Sequence, residues 1–213
     1  MNIKMKNITT LILLALLLVV PPIIYSYVTK GYNNFIKLEV VGEKKDNGED
    51  HKISEFSLIN QHNEIINNDT MLGNIYVADF FFTTCPSICP IMTKNMHALQ
   101  EKLSNYPQVK LLSFSVTPEI DTVAQLKRYA LTNKVDDTRW NLVTGAKKEI
   151  YQLARKSYLV VQEDGNGGPH DMIHTENFVL VDAQRRIRGY YDGTQLSAME
   201  DILRDIGILV AEK

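Results

Sequence analysis

Apolar and polar positions divide the chain into three stretches. Residues 8–28 are almost uncharged, and residues 11–20 are apolar without interruption. About 20 apolar residues are enough for a helix to cross a bilayer, so residues 1–28 are predicted to form an N-terminal transmembrane anchor. Pro21 and Pro22 work against one straight helix, because an internal proline loses a hydrogen bond and kinks the turn; membrane helices tolerate this better than soluble ones. Residues 29–52 are polar, with a charged run over 43–50, and read as a linker. Residues 53–213 carry the remaining periodic apolar sequence and are expected to form one domain.

Within that domain the period of the pattern changes repeatedly. Residues 56–60 and 64–66 look like two short strands around Gln61-His62-Asn63, a hairpin-like opening. Residues 75–82 are nearly continuous β-branched and aromatic sequence, as in a central strand buried on both faces. Over 91–103 the residues Met92, Met96, Leu99 and Leu103 form one stripe of an amphipathic helix. A strand is predicted over 109–116. Asp121 then stands before the helical pattern of Val123, Leu126, Tyr129 and Ala130, read first as an acidic cap and otherwise as a residue that orients something near the site. A short strand over 140–143, a helix over 146–156, two strands over 178–182 and 186–191, and a helix over 196–209 complete the order. Residues 164–170 are a Gly-rich loop. The expected fold class is α/β, a mixed sheet flanked by helices.

Composition changes this picture in only two ways. The 213 residues are 45% hydrophobic and 23% charged with a formal net charge of −2; a nucleic-acid partner wants a basic footprint, so none is expected. Lys4 and Lys6 precede the apolar stretch, which favours a cytoplasmic N-terminus and an extracytoplasmic domain, although Lys30 and Lys37 blunt the asymmetry. A cleaved signal peptide is the alternative; no small-residue cleavage pattern follows the apolar run, and both readings export the domain. The expected location is the cell membrane, single-pass, with the domain on the periplasmic side.

Cys85 and Cys89 are the only cysteines. In an exported protein the default use of two cysteines is a structural disulfide. A bridge closing five residues would constrain the unfolded chain little, since loop-closure entropy grows with loop length. The pair lies between a buried strand and a helix start, where helix N–H groups favour thiolate over thiol. Pro90 suits the first position of that helix, where its missing N–H is no loss. Cys-x-x-Cys is the usual redox spacing; here Pro86, Ser87 and Ile88 intervene. The wider turn still permits a disulfide and also lets two sulfurs grip one ion. Thiolates select Cu(I), zinc and iron–sulfur clusters, and two sulfurs leave zinc short of four ligands.

The histidines are His51, His62, His97, His170 and His174. His51 and His62 read as surface residues. His97 lies eight residues after Cys89, too far along a helix to reach the same ion. His170 and His174 stand before the strand at 178–182, and the residues alone leave both open as ligands or as structural histidines. Asp79 is a charge within an apolar strand, costly unless paired; the sequence leaves open whether it tunes the thiols or points to an edge. Met92 and Met96 are soft potential copper ligands, but their helical spacing reads first as core packing.

The run Asp79-Phe-Phe-Phe-Thr-Thr-Cys85-Pro-Ser-Ile-Cys89-Pro90 resembles the Phe-x-x-x-Cys-Pro-x-x-Cys-Pro pattern of the Sco/SenC proteins, which take part in cytochrome c oxidase assembly. Phe114-Ser-Val-Thr-Pro-Glu-Ile-Asp-Thr122 is similar to that family's Ser-Val-Asp-Pro-x-x-Asp-Thr, and His174-Thr175 sits where its His-Ser/Thr precedes a strand ending in Asp. The resemblance covers roughly residues 53–208. It implies a thioredoxin-like fold and copper, Cu(I) or Cu(II), held by Cys85, Cys89 and His174, with a cytochrome c oxidase subunit or another copper protein as recipient. Thr117 departs from the family's Asp, and His170 is additional. The implied function is a membrane-tethered copper metallochaperone, not an enzyme in the turnover sense. The alternative is an extracytoplasmic thiol–disulfide oxidoreductase using Cys85 and Cys89. A peroxidase on the same fold needs Arg support near its cysteine, and no Arg is near Cys85 in sequence.

Overall fold

The computed structural model describes residues 3–32, 37–44, 46–162, 165, 167–168 and 171–212; within the first helix, side chains are described at 8, 10 and 12–27. The N-terminal helix α1 runs Ile3–Tyr32 and contains Pro21 and Pro22. A bilayer-spanning anchor over 1–28 is not found among the described residues, none of whose helices is long and apolar enough to cross a membrane. The described apolar side chains of α1 are in the open: Leu17 is 72% and Leu18 68% exposed.

The chain then lays residues 38–44 and 46–53 along the domain. Val41 forms a bridge with Ile187, Arg188 Nη2 donates to the Leu38 carbonyl at 2.6 Å, and Arg186 meets Asp50 at 3.3 Å. His51, expected at the surface, is instead half-buried, its Nε2 2.7 Å from the Ser157 carbonyl. The approach is close, since a Cβ on Gly42 would meet the His51 side chain at 2.7 Å.

The sheet is mixed and seven-stranded. Its strands are β1 Ser57–Asn60, β2 Ile65–Asn67, β3 Ile75–Phe81, β4 Val109–Ser115, β5 Trp140–Thr144, β6 Asn177–Val181 and β7 Ile187–Asp192, in the spatial order β2-β1-β5-β4-β3-β6-β7. β3, β4 and β5 are parallel to one another; the outer strands are antiparallel. The helices are α2 Asn68–Met71, α3 Ile88–Lys102, α4 Val123–Thr132, α5 Lys147–Gln152 and α6 Ala198–Ala211. The predicted helix over 146–156 ends early, because Leu153–Ser157 widens into a π turn closed by Tyr158 N–H on the Leu153 carbonyl at 2.7 Å.

β3 shows why its sequence carries no polar face. Tyr76, Ala78 and Phe80 enter one core with Phe56, Phe114 and Tyr158. Ile75, Val77 and Phe81 enter the other with Met92, Met96, Leu99, Trp140 and Ile202. Every residue of the strand is buried, as expected for a strand covered on both faces. Met92 and Met96 are fully buried core residues, as their spacing implied.

Candidate metal centre

Strand period puts Asp79 on the same face as Ile75, Val77 and Phe81, beneath α3. Its register partner is Ser113, whose hydroxyl makes a short hydrogen bond to Asp79 Oδ1 and accepts from Trp140 Nε1 at 2.9 Å. Burial pushes the carboxyl up to about 7, despite the Ser113 hydrogen bond. The charge question raised by the sequence thus resolves into a buried, hydrogen-bonded acid. Between 3.8 and about 7 the folded chain keeps a proton that the unfolded chain releases, so stability falls as pH rises through this window. The fall is on the order of 4 kcal/mol at most. Asp79→Asn is expected to flatten it, read as the slope of urea midpoints against pH from 4 to 8. An unchanged slope would place the titrating group elsewhere.

After Phe81 the strand ends, and Cys85 N–H closes a turn on the Phe82 carbonyl at 3.3 Å. α3 begins at Ile88 with Ser87 as its cap residue. Cys89 is therefore the second helical residue, and Pro90 the third rather than the first, still within the turn whose N–H groups lack helical partners. Both cysteines are free and buried, Cys85 at 7% and Cys89 at 3% exposed, and both pack into the core that contains Phe81 and Met92.

The two thiols are electrostatically unlike. Burial raises Cys85, but hydrogen bonds from the Ser87 and Cys89 backbone and from the Cys89 and Ser87 side chains outweigh it and bring the thiol down to about 6. Ser87 Oγ lies 3.7 Å from its sulfur. Cys89 is pushed up to about 12, first by burial and then by the neighbouring Cys85 and Asp79. At neutral pH the pair thus holds one thiolate and one thiol, sharing a hydrogen bond.

His174 is exposed, between the buried residues Ile173 and Thr175. In extended backbone alternate residues face opposite ways, which turns the imidazole outward. Its ring stands edge-on to Phe82, centroids 6.4 Å apart, and Phe82 is three residues before Cys85. The preceding segment is pinned by Arg155, which grips Asp171 through both nitrogens at 2.6 and 2.9 Å. The Ile173 N–H donates to Tyr151 Oη at 3.4 Å. Among the described residues no three His, Cys, Asp or Glu side chains are gathered to hold a metal ion. The fold brings the two sulfurs together and places His174 on the adjoining loop beside Phe82. His170 lies outside the described residues. His97 faces Glu101 at 3.7 Å on the helix surface, and His62 meets Asp137 at 2.9 Å.

Asp121 differs from its predicted role. The cap of α4 is Thr122, whose side chain accepts from Gln125 N–H, while Asp121 is fully buried. An acid one residue before a helix writes the same letters in either role. The alternating hydroxyls Ser113 and Ser115 in an otherwise apolar strand were the available signal for a polar partner on that face.

The family model SCO1/SenC matches residues 44–210. The chain is 32% identical to the SCO1 protein homolog of Bacillus subtilis over 158 residues, 73% of this chain and 81% of that protein. It is 26% identical to a putative copper-binding protein of Stutzerimonas stutzeri, covering 65% of this chain and 68% of the other. Among solved structures, a SCO1/SenC family lipoprotein from Bacillus anthracis superposes with TM-score 0.67 at 30% identity, over 75% of this chain and 95% of that one. BsSco, described as a member of the Sco family of cytochrome c oxidase assembly proteins with a disulfide switch, superposes with TM-score 0.66 at 32% identity, over 76% and 95%. The thioredoxin-like arrangement of a mixed sheet flanked by helices agrees with these structures.

Proposed function

The chain belongs to the SCO1/SenC family, and from that premise we propose that it binds copper as cargo and delivers it during cytochrome c oxidase assembly. The observation that carries this reading is the paired, unbridged thiols of Cys85 and Cys89 at the start of α3, one of them already thiolate at neutral pH. Thiolate sulfur is the soft donor that Cu(I) prefers, and imidazole suits copper in either oxidation state. Cys85 supplies its thiolate directly. Cys89 surrenders its proton on binding, and His174 completes the set by turning inward past Phe82. Support comes from the relative in Stutzerimonas stutzeri named a putative copper-binding protein and from BsSco's membership of a family of cytochrome c oxidase assembly proteins. The test is a copper titration of the full-length chain: His174→Ala should weaken Cu(II) binding and alter its absorption. Unchanged affinity and spectrum would remove His174 from the site.

A second reading is favoured by the inequality of the thiols. A thiolate at Cys85 and a protonated neighbour at Cys89 suit stepwise disulfide exchange. The Cys85 thiolate attacks a partner disulfide, forming a mixed disulfide and releasing one partner thiolate. Cys89 then loses its proton, attacks the Cys85 sulfur and frees the second partner thiolate. The Cys85–Cys89 disulfide remains, and two electrons have passed to the partner. This reading predicts exchange that is insensitive to His174→Ala, whereas copper binding is not.

The recipient is a cytochrome c oxidase subunit or another copper protein. The domain works at the extracytoplasmic face of a membrane, attached through α1. Exposed Leu, Ile and Val along 12–27 need apolar cover, and the related Bacillus anthracis protein is a lipoprotein. After cell fractionation the chain is expected to stay in the membrane pellet through an alkaline wash, and to move to the soluble fraction when residues 1–32 are deleted. A wash that frees the intact chain would contradict attachment through α1.

A further inference from the structure

We propose that Asp121 is a positioning residue for the thiol site, fastening the turn that carries Cys85 to the end of β4 through Thr83. This rests on the reading of Cys85 and Cys89 as the working pair, and it assigns the residue that holds one of them in place.

The two sulfurs are located by different means. Cys89 is fixed by the first turn of α3. Cys85 sits in an irregular turn, so its position depends on what holds the residues before it. Thr83, two residues earlier, is held at both polar groups: its N–H donates to Asp121 Oδ2 at 3.1 Å and its hydroxyl to Asp121 Oδ1 at 2.5 Å. The same carboxylate accepts from Ser115 Oγ at 2.6 Å and from Thr117 Oγ1 at 3.1 Å. Asp121 N–H in turn donates to the Thr117 carbonyl at 2.9 Å. Gln125 Nε2 donates to Thr83 Oγ1 at 3.0 Å, so the threonine hydroxyl has one acceptor and one donor and a set direction.

A fully buried carboxylate is costly to keep unless its lone pairs are occupied. Here hydrogen bonds from the cysteine turn and from the β4–α4 connection occupy them, and charge-assisted bonds of this kind are about twice as strong as neutral ones. The arrangement joins two loops that β3 and β4 otherwise only bring side by side. Loosening it at Thr83 removes the hold on the chain just before Cys85, leaving the turn hydrogen bond to Phe82 and the contacts of the sulfur with Ser87 and Cys89. The separation of the two sulfurs would then vary, which weakens a two-sulfur grip on copper and alters the ease of closing a disulfide.

The test uses the reduced full-length chain in detergent, comparing wild type with Thr83→Val, Thr83→Ser, Asp121→Asn and the Thr83→Val/Asp121→Asn double variant. Copper(II) chloride is titrated against a competing chelator, the thiolate–copper absorption is recorded, and the iodoacetamide rate at Cys85 is followed against pH. Thr83→Val and Asp121→Asn are each expected to weaken copper binding about 10-fold or more, the usual scale for residues that orient ligands, and to shift both the absorption and the alkylation profile. Thr83→Ser keeps the hydroxyl and should behave as wild type. The double variant should bind copper no more weakly than Asp121→Asn alone, because the Thr83 hydroxyl acts through Asp121. Wild-type affinity, spectrum and alkylation in Thr83→Val would overturn the proposal. So would a Thr83→Ser variant as impaired as Thr83→Val, or single effects that simply add. If Asp121→Asn does not fold, the Val and Ser variants at Thr83 decide. If the wild type itself takes up no copper, the copper reading fails, and the alkylation profiles still decide whether Asp121 and Thr83 position Cys85.

Discussion

Iodoacetamide at pH 7 is expected to modify Cys85 and leave Cys89 intact. With Cys85 near 6 and Cys89 near 12, about nine-tenths of the first and about one part in 10⁵ of the second are thiolate. A less acidic thiol is the better nucleophile once ionised, and for a Brønsted slope near 0.45 that returns roughly 2.7 decades to Cys89. The remaining preference is still roughly 10²-fold, before the deeper burial of Cys89 adds to it. Peptide mass spectrometry after brief labelling reads it directly. The Cys85 rate should rise through a midpoint near pH 6. Equal labelling, or a midpoint near 9, would mean that the Ser87 and Cys89 hydrogen bonds do not stabilise the Cys85 thiolate as described.

Replacing either sulfur is expected to produce the largest loss of copper binding. Cys89→Ser should lower affinity by more than about 100-fold, since changes that only disturb a ligand's orientation already reach 10- to 100-fold. The same chemistry sets a pH dependence. Binding releases the Cys89 proton at any pH below about 12, and below about 6 it must release that of Cys85 as well. Apparent affinity should therefore rise about tenfold for each pH unit gained above pH 6, and more steeply with pH below it, by linkage of metal and proton binding. Competition titrations at pH 5, 6, 7 and 8 resolve the change of slope. A flat profile would show that the thiols are not the ligands.

The parts of the fold written in periodic apolar sequence were legible before the structure. The unbroken apolar run of β3, the Met92–Met96–Leu99 stripe of α3 and the β6–β7 hairpin all stand where the pattern puts them. So does the cysteine pair, because a strand running into a helix across a short turn is a local arrangement. What was not legible depends on pairing across the sheet. Asp121 reads first as a helix cap, and what it would otherwise orient is not named until β3 and β4 lie side by side and present Thr83 to it. Asp79 reads as a misplaced charge until strand register sets Ser113 opposite. For α1 the composition suggested a bilayer span; among the described residues no helix is long and apolar enough to cross a membrane, while the described apolar side chains of α1 are exposed. His174 was marked by resemblance alone. The structure adds its place beside Phe82 and the Arg155–Asp171 clamp that fixes the segment before it.

The central claim is that Cys85 and Cys89 together hold copper. It is tested most directly by titrating the reduced full-length chain with Cu(I) against a competing chelator, beside a Cys85→Ser/Cys89→Ser double variant. The account predicts one tightly held copper per wild-type chain and none in the double variant. A double variant that still takes up one copper per chain, or a reduced wild type that takes up none, would contradict it.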